Sequence, residues 1–126
     1  MDLGLKGKNA VVTGGSRGLG AAIAEVLASE GMNVVLVARD KQALEENAAS
    51  LRARHGTRAV PLAADLTSIP EIERAAAAAV AALGTVDLLV NSAGATKRGD
   101  FFALTDADWE SGLGLKFFGA MRTSRA

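Results

Sequence analysis

Apolar residues along the 126-residue chain fall into two alternating kinds of run. Residues 9–13, 33–38 (NVVLVA), 58–64 (RAVPLAA) and 86–90 (VDLLV) are short, nearly continuous runs rich in Val, Leu and Ala. That length and β-branched content predict strands buried on both faces of a parallel sheet. Between them the apolar positions spread out to helical spacing. Leu19, Ile23, Val26 and Leu27 define one face that ends at Gly31, and Leu44, Ala48 and Leu51 define a second after Asp40, a suitable N-cap. Ile69, Ile72, Ala76, Val80 and Leu83 define a third up to Gly84, opened by Ser68-Ile-Pro-Glu71, which fits a capping box with proline in the first turn. The alanine run 75–79 lies inside this pattern and is expected to pack tightly rather than to be low-complexity sequence. A last helix opens on the same capping logic at Thr105 and Asp108 and carries Trp109, Leu113, Phe117 and Ala120 along one side. Pro61 cannot donate to a ladder, so the third strand is expected at an edge.

Four βα units in a row, with no repeat and no linker, predict a single domain over residues 1–126. The fold class is α/β, a Rossmann-type doubly wound parallel sheet, truncated after about four strands and the following helix, with ligand binding at the carboxyl ends of the strands. The first of those ends is TGGSRGLG, residues 13–20, half of them glycine. Such density at a strand-to-helix corner means close backbone approach or positive φ, and the helix that starts there directs its unpaired N–H groups and positive dipole end into the corner. Taken alone, the glycines fit an ordinary turn as well as a phosphate site. The second strand, completing a βαβ unit of dinucleotide-binding size, favours the phosphate.

Composition narrows the partners. Fourteen basic residues balance fourteen acidic ones, and without a basic stripe or an aromatic ladder there is no call for nucleic acid or a membrane surface. The absence of cysteine excludes disulfides, thiolate catalysis and zinc–cysteine sites and is compatible with a reducing compartment. His55 is the single histidine and stands before Gly56 at a predicted helix end, where a cap or dipole partner is expected rather than a metal ligand. No apolar run approaches the roughly 20 residues of a bilayer span, and the N-terminus lacks a signal pattern, so the chain is read as soluble and cytoplasmic.

The wording of two motifs goes further. TGGSRGLG, through Thr13, Gly14, Gly18 and Gly20, resembles the TGxxxGxG cofactor loop of the short-chain dehydrogenase/reductase family, and NSAG at Asn91 to Gly94 resembles its NNAG motif. The resemblance runs from about Leu5 to Ala126 in motif order and spacing. It implies a nicotinamide dinucleotide as cofactor and hydride transfer to or from a carbonyl or alcohol substrate. It implies that Gly14, Ser16, Arg17, Gly18, Leu19 and Gly20 surround the pyrophosphate, that Asp65 and Leu66 lie by the adenine, and that Asn91, Ala93 and Gly94 lie beside the cofactor. On the residues alone, Asp65 fits a simple helix-entry aspartate equally well. Dinucleotide folds commonly carry an acidic residue about 20 positions past the glycines to hold the ribose 2′-OH. Here Ala38 and Arg39 stand at that strand end, and Arg39 with Arg17 favours the 2′-phosphate of NADP(H) over NAD(H). The alternative is two solvated arginines.

Three departures qualify the resemblance. Ser92 replaces the second asparagine of the motif, a minor change between small polar residues. Lys116 occupies the place of an asparagine that in the family helps to hold a proton-relay water. Its ammonium either snorkels to solvent or projects toward the active-site region. The sequence contains no tyrosine, whereas the family's reaction centre is a serine with a Tyr-x-x-x-Lys pair. The expectation is therefore a cofactor-binding part, inactive by itself, of an NADP(H)-dependent oxidoreductase. The alternative is a non-catalytic nucleotide-binding or oligomerising module. The unpaired side of the fourth strand and the apolar last helix predict a homo-oligomer.

Overall fold

The computed structural model describes residues 2–94 and 99–126. Strands β1 (Asn9–Thr13), β2 (Asn33–Ala38), β3 (Ala59–Ala63) and β4 (Leu88–Asn91) form one parallel sheet in the order β3-β2-β1-β4. The chain runs outward from β1 to β3 and then returns to the free side of β1, so the topological switch point lies between β1 and β4. Thr13 pairs in register with Val37 on one side and Asn91 on the other. The loops leaving these three strands therefore open at the same end of the sheet, which is where the glycine corner, Arg39 and NSAG meet. Pro61 lies in β3, which among the described residues pairs only with β2, in agreement with an edge position.

Alternation along the strands divides the core between the two faces. Helices α1 (Gly18–Ser29) and α2 (Lys41–His55) cover Ala10, Val12, Val34 and Leu36. Helix α3 (Ile69–Leu83) and the C-terminal helical stretch cover Val11, Val35 and Val37. The predicted caps form at α2, where Asp40 Oδ1 accepts from Ala43 N at 3.1 Å, and at the last helix, where Thr105 and Asp108 make both halves of a capping box. At α3 only half of the expected box forms. Ser68 accepts from Glu71 N at 3.4 Å, while the Glu71 carboxylate accepts from Asp65 N at 3.2 Å, because Ser68 N already donates to Asp65 O.

Several expected faces are rotated. In α1 the residues against the sheet are Gly20, Ala24 and Ala28, whereas Leu19 is 72% and Val26 59% exposed. In α3 they are Ile72, Ala75, Ala79 and Leu83, with Ile69 and Val80 outward. The fourth strand begins at Leu88, later than expected, and Val86 is exposed. The last helix is α4 (Asp106–Leu113), a π-helical segment (Gly114–Gly119) and α5 (Ala120–Arg125) in unbroken succession. The stripe of Trp109, Leu113 and Phe117 lies on the surface, and Gly112, Leu115 and Gly119 face inward instead. His55 stands in the last turn of α2, as expected of a dipole partner, and Gly56 is the cap; the His55 Nε2 lies 2.7 Å from Glu25 Oε1, and Arg54 holds the other carboxylate oxygen at 2.6 Å, so the pair ties α2 to α1. Among the described residues no helix is long and apolar enough to cross a membrane. Most of the polar loop after NSAG, residues 95–98, lies outside the described residues.

Candidate functional site

A cleft of about 730 Å³ opens at the carboxyl ends of β1, β2 and β4. Its shape follows from the glycines. Gly14 has φ +70°, and a Cβ placed on it would come within 2.8 Å of Ser92 O, so the loops after β1 and β4 touch backbone to backbone. At Gly20 a Cβ would collide with Gly14 O, which lets the first turn of α1 close directly onto the end of β1. Thr13, 1% exposed, fastens the same junction. Its hydroxyl donates to Val90 O at 3.3 Å and accepts from Ser92 N at 3.1 Å and Ala93 N at 3.3 Å.

Ser16, Arg17, Gly18 and Leu19 line the cleft in front of α1. Arg17 is the N-cap of α1 and supplies no side-chain cap, and the first turn holds no acidic residue. The Ser16 and Arg17 amides have no acceptor among the described residues. Unpaired donors and a helix dipole that converge with no carboxylate in the helix's own first turn make a site for an anion.

Arg39 and Asp40 border the cleft on the β2 side, Leu66 on the β3 side, and Ala93 and Gly94 on the β4 side. The expected residues thus converge, except for two. Asp65 does not line the cleft; its carboxylate accepts from the Thr67 hydroxyl at 2.6 Å and the Thr67 amide at 2.9 Å. Those bonds, with a smaller contribution from the positive charge of Arg39 and against a little burial, hold its pKa below the ordinary 3.8. Asn91 also lies outside the lining, and its amide donates to Ser124 Oγ at 3.0 Å. The stem of Lys116 crosses Gly94, since a Cβ there would be 2.9 Å from the lysine Cγ and 3.0 Å from its Cε. The lysine therefore lies along the β4 rim of the cleft with its side chain exposed.

Sequence reasoning gave no role to Leu115, which reaches the cleft from the π-helical segment, or to Asn47, which holds the glycine loop from α2. The inward turn of Leu115 depends on the π turn, which spacing does not announce. Asn47 stands among charged residues on a surface helix and has no signal of its own.

The sequence model of one family, short chain dehydrogenase, matches residues 8–126. The chain belongs to the short-chain dehydrogenases. Among curated members of the family, a short-chain reductase, NovJ, from Streptomyces niveus is 38% identical over 93% of this chain and 44% of its own length. A 2,3-dihydro-2,3-dihydroxybenzoate dehydrogenase from Bacillus subtilis is 33% identical over 98% of this chain and 47% of its own. Among solved structures, L-sorbose reductase from Gluconobacter frateurii, complexed with NADPH and L-sorbose, superposes with a TM-score of 0.94 at 37% identity and covers 99% of this chain and 48% of its own. A short-chain dehydrogenase/reductase from Burkholderia phymatum in complex with NAD gives 0.91 at 35% identity, covering 96% of this chain and 43% of its own. This short-chain dehydrogenase chain thus spans about half the length of the relatives it matches.

Proposed function

We propose that this chain is the NADP(H)-binding part of a short-chain oxidoreductase acting on a small carbonyl or alcohol substrate. The observation that carries the reading is the cleft itself, where open amides at a helix N-terminus stand beside Arg17 and Arg39, with Ala38 closing β2 and the nearest carboxylate, Asp40, engaged in capping α2. The fit is favourable along its length. The glycine corner leaves no side chain where a pyrophosphate would rest, and the arginines offer paired charge to a 2′-phosphate. Ala93 and Gly94 leave the β4 end open for the nicotinamide ribose. A bound nicotinamide would supply or accept the hydride exchanged with the substrate. The residues of this chain that line the cleft would bind and orient it: Gly14, Ser16, Gly18, Leu19 and Gly20 at the pyrophosphate, Leu66 near the adenine, Ala93 and Gly94 at the nicotinamide half, with Asp65 and Asn91 behind the lining, shaping the loops through Thr67 and Ser124. The sequence contains no tyrosine, so the proposal assigns binding and no proton transfer to these residues.

Complexes with NADPH and with NAD both occur among the fold neighbours, so the preference rests on Arg39. Titration of wild type and Arg39→Ala with NADPH and with NADH tests it. Wild type should favour NADPH by at least about tenfold, the worth of one charge-assisted hydrogen bond, and the variant should lose that margin. Equal or tighter binding of NADH by wild type would contradict it. We also propose that the chain associates with copies of itself through its exposed apolar surface.

A further inference from the structure

The glycine loop is held from behind. Asn47, on α2, donates through Nδ2 to Gly15 O at 3.2 Å and to Ser16 O at 2.5 Å. It does not line the cleft, and instead borders a separate small hollow with Gly15, Ala21 and Leu36. One amide group therefore takes hold of two successive carbonyls on the side of the loop away from the cleft.

The consequence follows from peptide geometry. In a trans peptide the C=O and the N–H of the next residue point in opposite directions. Drawing the Gly15 and Ser16 carbonyls toward α2 turns the Ser16 and Arg17 N–H groups the other way. Both residues line the cleft, and neither amide has an acceptor among the described residues. A flip of either peptide would put a carbonyl dipole where an anion must sit, which is repulsive, and would remove a donor. Gly15 has no side chain to oppose such a flip, so the restraint has to come from elsewhere.

We infer that Asn47 is a positioning residue for the dinucleotide: by clamping two carbonyls of the loop it presents the Ser16 and Arg17 amides to the pyrophosphate. The inference rests on the cofactor reading above. Because α2 begins directly after Arg39 and Asp40, the same side chain also couples the pyrophosphate loop to the segment that carries the 2′-phosphate arginine.

The test uses two ligands. NADPH engages the whole site, whereas adenosine 2′-monophosphate carries the adenine and the 2′-phosphate but no pyrophosphate. Asn47→Ala should weaken NADPH binding about tenfold and leave adenosine 2′-monophosphate within about twofold of wild type, and Asn47→Gln, which keeps an amide donor, should lose less. Thermal melts identify which variants are folded, and hydrogen exchange at Ser16 and Arg17 in a folded variant should be altered relative to the rest of α1. Equal losses for both ligands, or no loss for either in a folded variant, would overturn the clamp. Failure of wild type to bind NADPH would overturn the cofactor reading and the clamp together; unchanged binding by the Asn47 variants would overturn the clamp alone.

Discussion

Thr13 shows how much of the site depends on a single buried hydroxyl. It is the last residue of β1, it is buried, and its oxygen serves one carbonyl and two amides of the strand end opposite. Replacing it with the nearly isosteric valine leaves the Ser92 and Ala93 amides without an acceptor in a partly buried place. Thr13→Val should therefore lower stability by about 1–3 kcal/mol, and Thr13→Ser, which keeps the hydroxyl, by less. Urea unfolding measures both, and a valine variant as stable as wild type would contradict the account. At this scale the sequence was legible where chemistry demands a particular backbone. Gly14 and Gly20 stand where a Cβ would meet Ser92 O or Gly14 O, and no other residue type fits. It was not legible where an ordinary polar side chain acquires its role from distant neighbours. Asn47 reaches the loop across more than thirty positions, and Asn91 turns to Ser124 rather than into the cleft.

At the scale of elements, strands and helix starts were legible for separate reasons. The parallel strands are buried on both faces, so their apolar runs are continuous; helix starts carry side chains such as Asp40 and Thr105 whose oxygens cap the first amides. The faces of the helices were less legible. A reading that ranks residues by hydrophobicity selects Leu19 and Val26 in α1 and Val80 in α3, but a helix lying close on a sheet needs small residues at the contact. Ala24 and Ala28, and likewise Ala75 and Ala79, let α1 and α3 approach. The C-terminal helix adds a second cause. Its π-helical segment breaks the 3.6-residue period after Leu113, so a stripe projected from Trp109 and Leu113 does not predict that Leu115 reaches the cleft. The same segment carries Lys116, whose stem lies across Gly94.

For the whole molecule, the switch between β1 and β4 gathers the glycine corner, Arg39 and Gly94 at one end of the sheet, and the apolar surface gathers elsewhere. Leu113 is 49% exposed, Phe117 62% and Phe118 40%, all on one helical stretch, and β4 pairs only with β1 among the described strands. Such a surface should bind another copy of the chain. Sedimentation velocity should show concentration-dependent association that Phe117→Ser weakens; a monomer at every concentration would contradict it. The central claim, that the glycine corner holds the phosphates of a nicotinamide dinucleotide, is tested most directly by titrating the ¹⁵N-labelled chain with NADPH. The account predicts saturable shifts of the amide resonances of Ser16, Arg17, Gly18 and Gly94. Resonances there that stay in place at millimolar NADPH, or shifts confined to other parts of the chain, would contradict it.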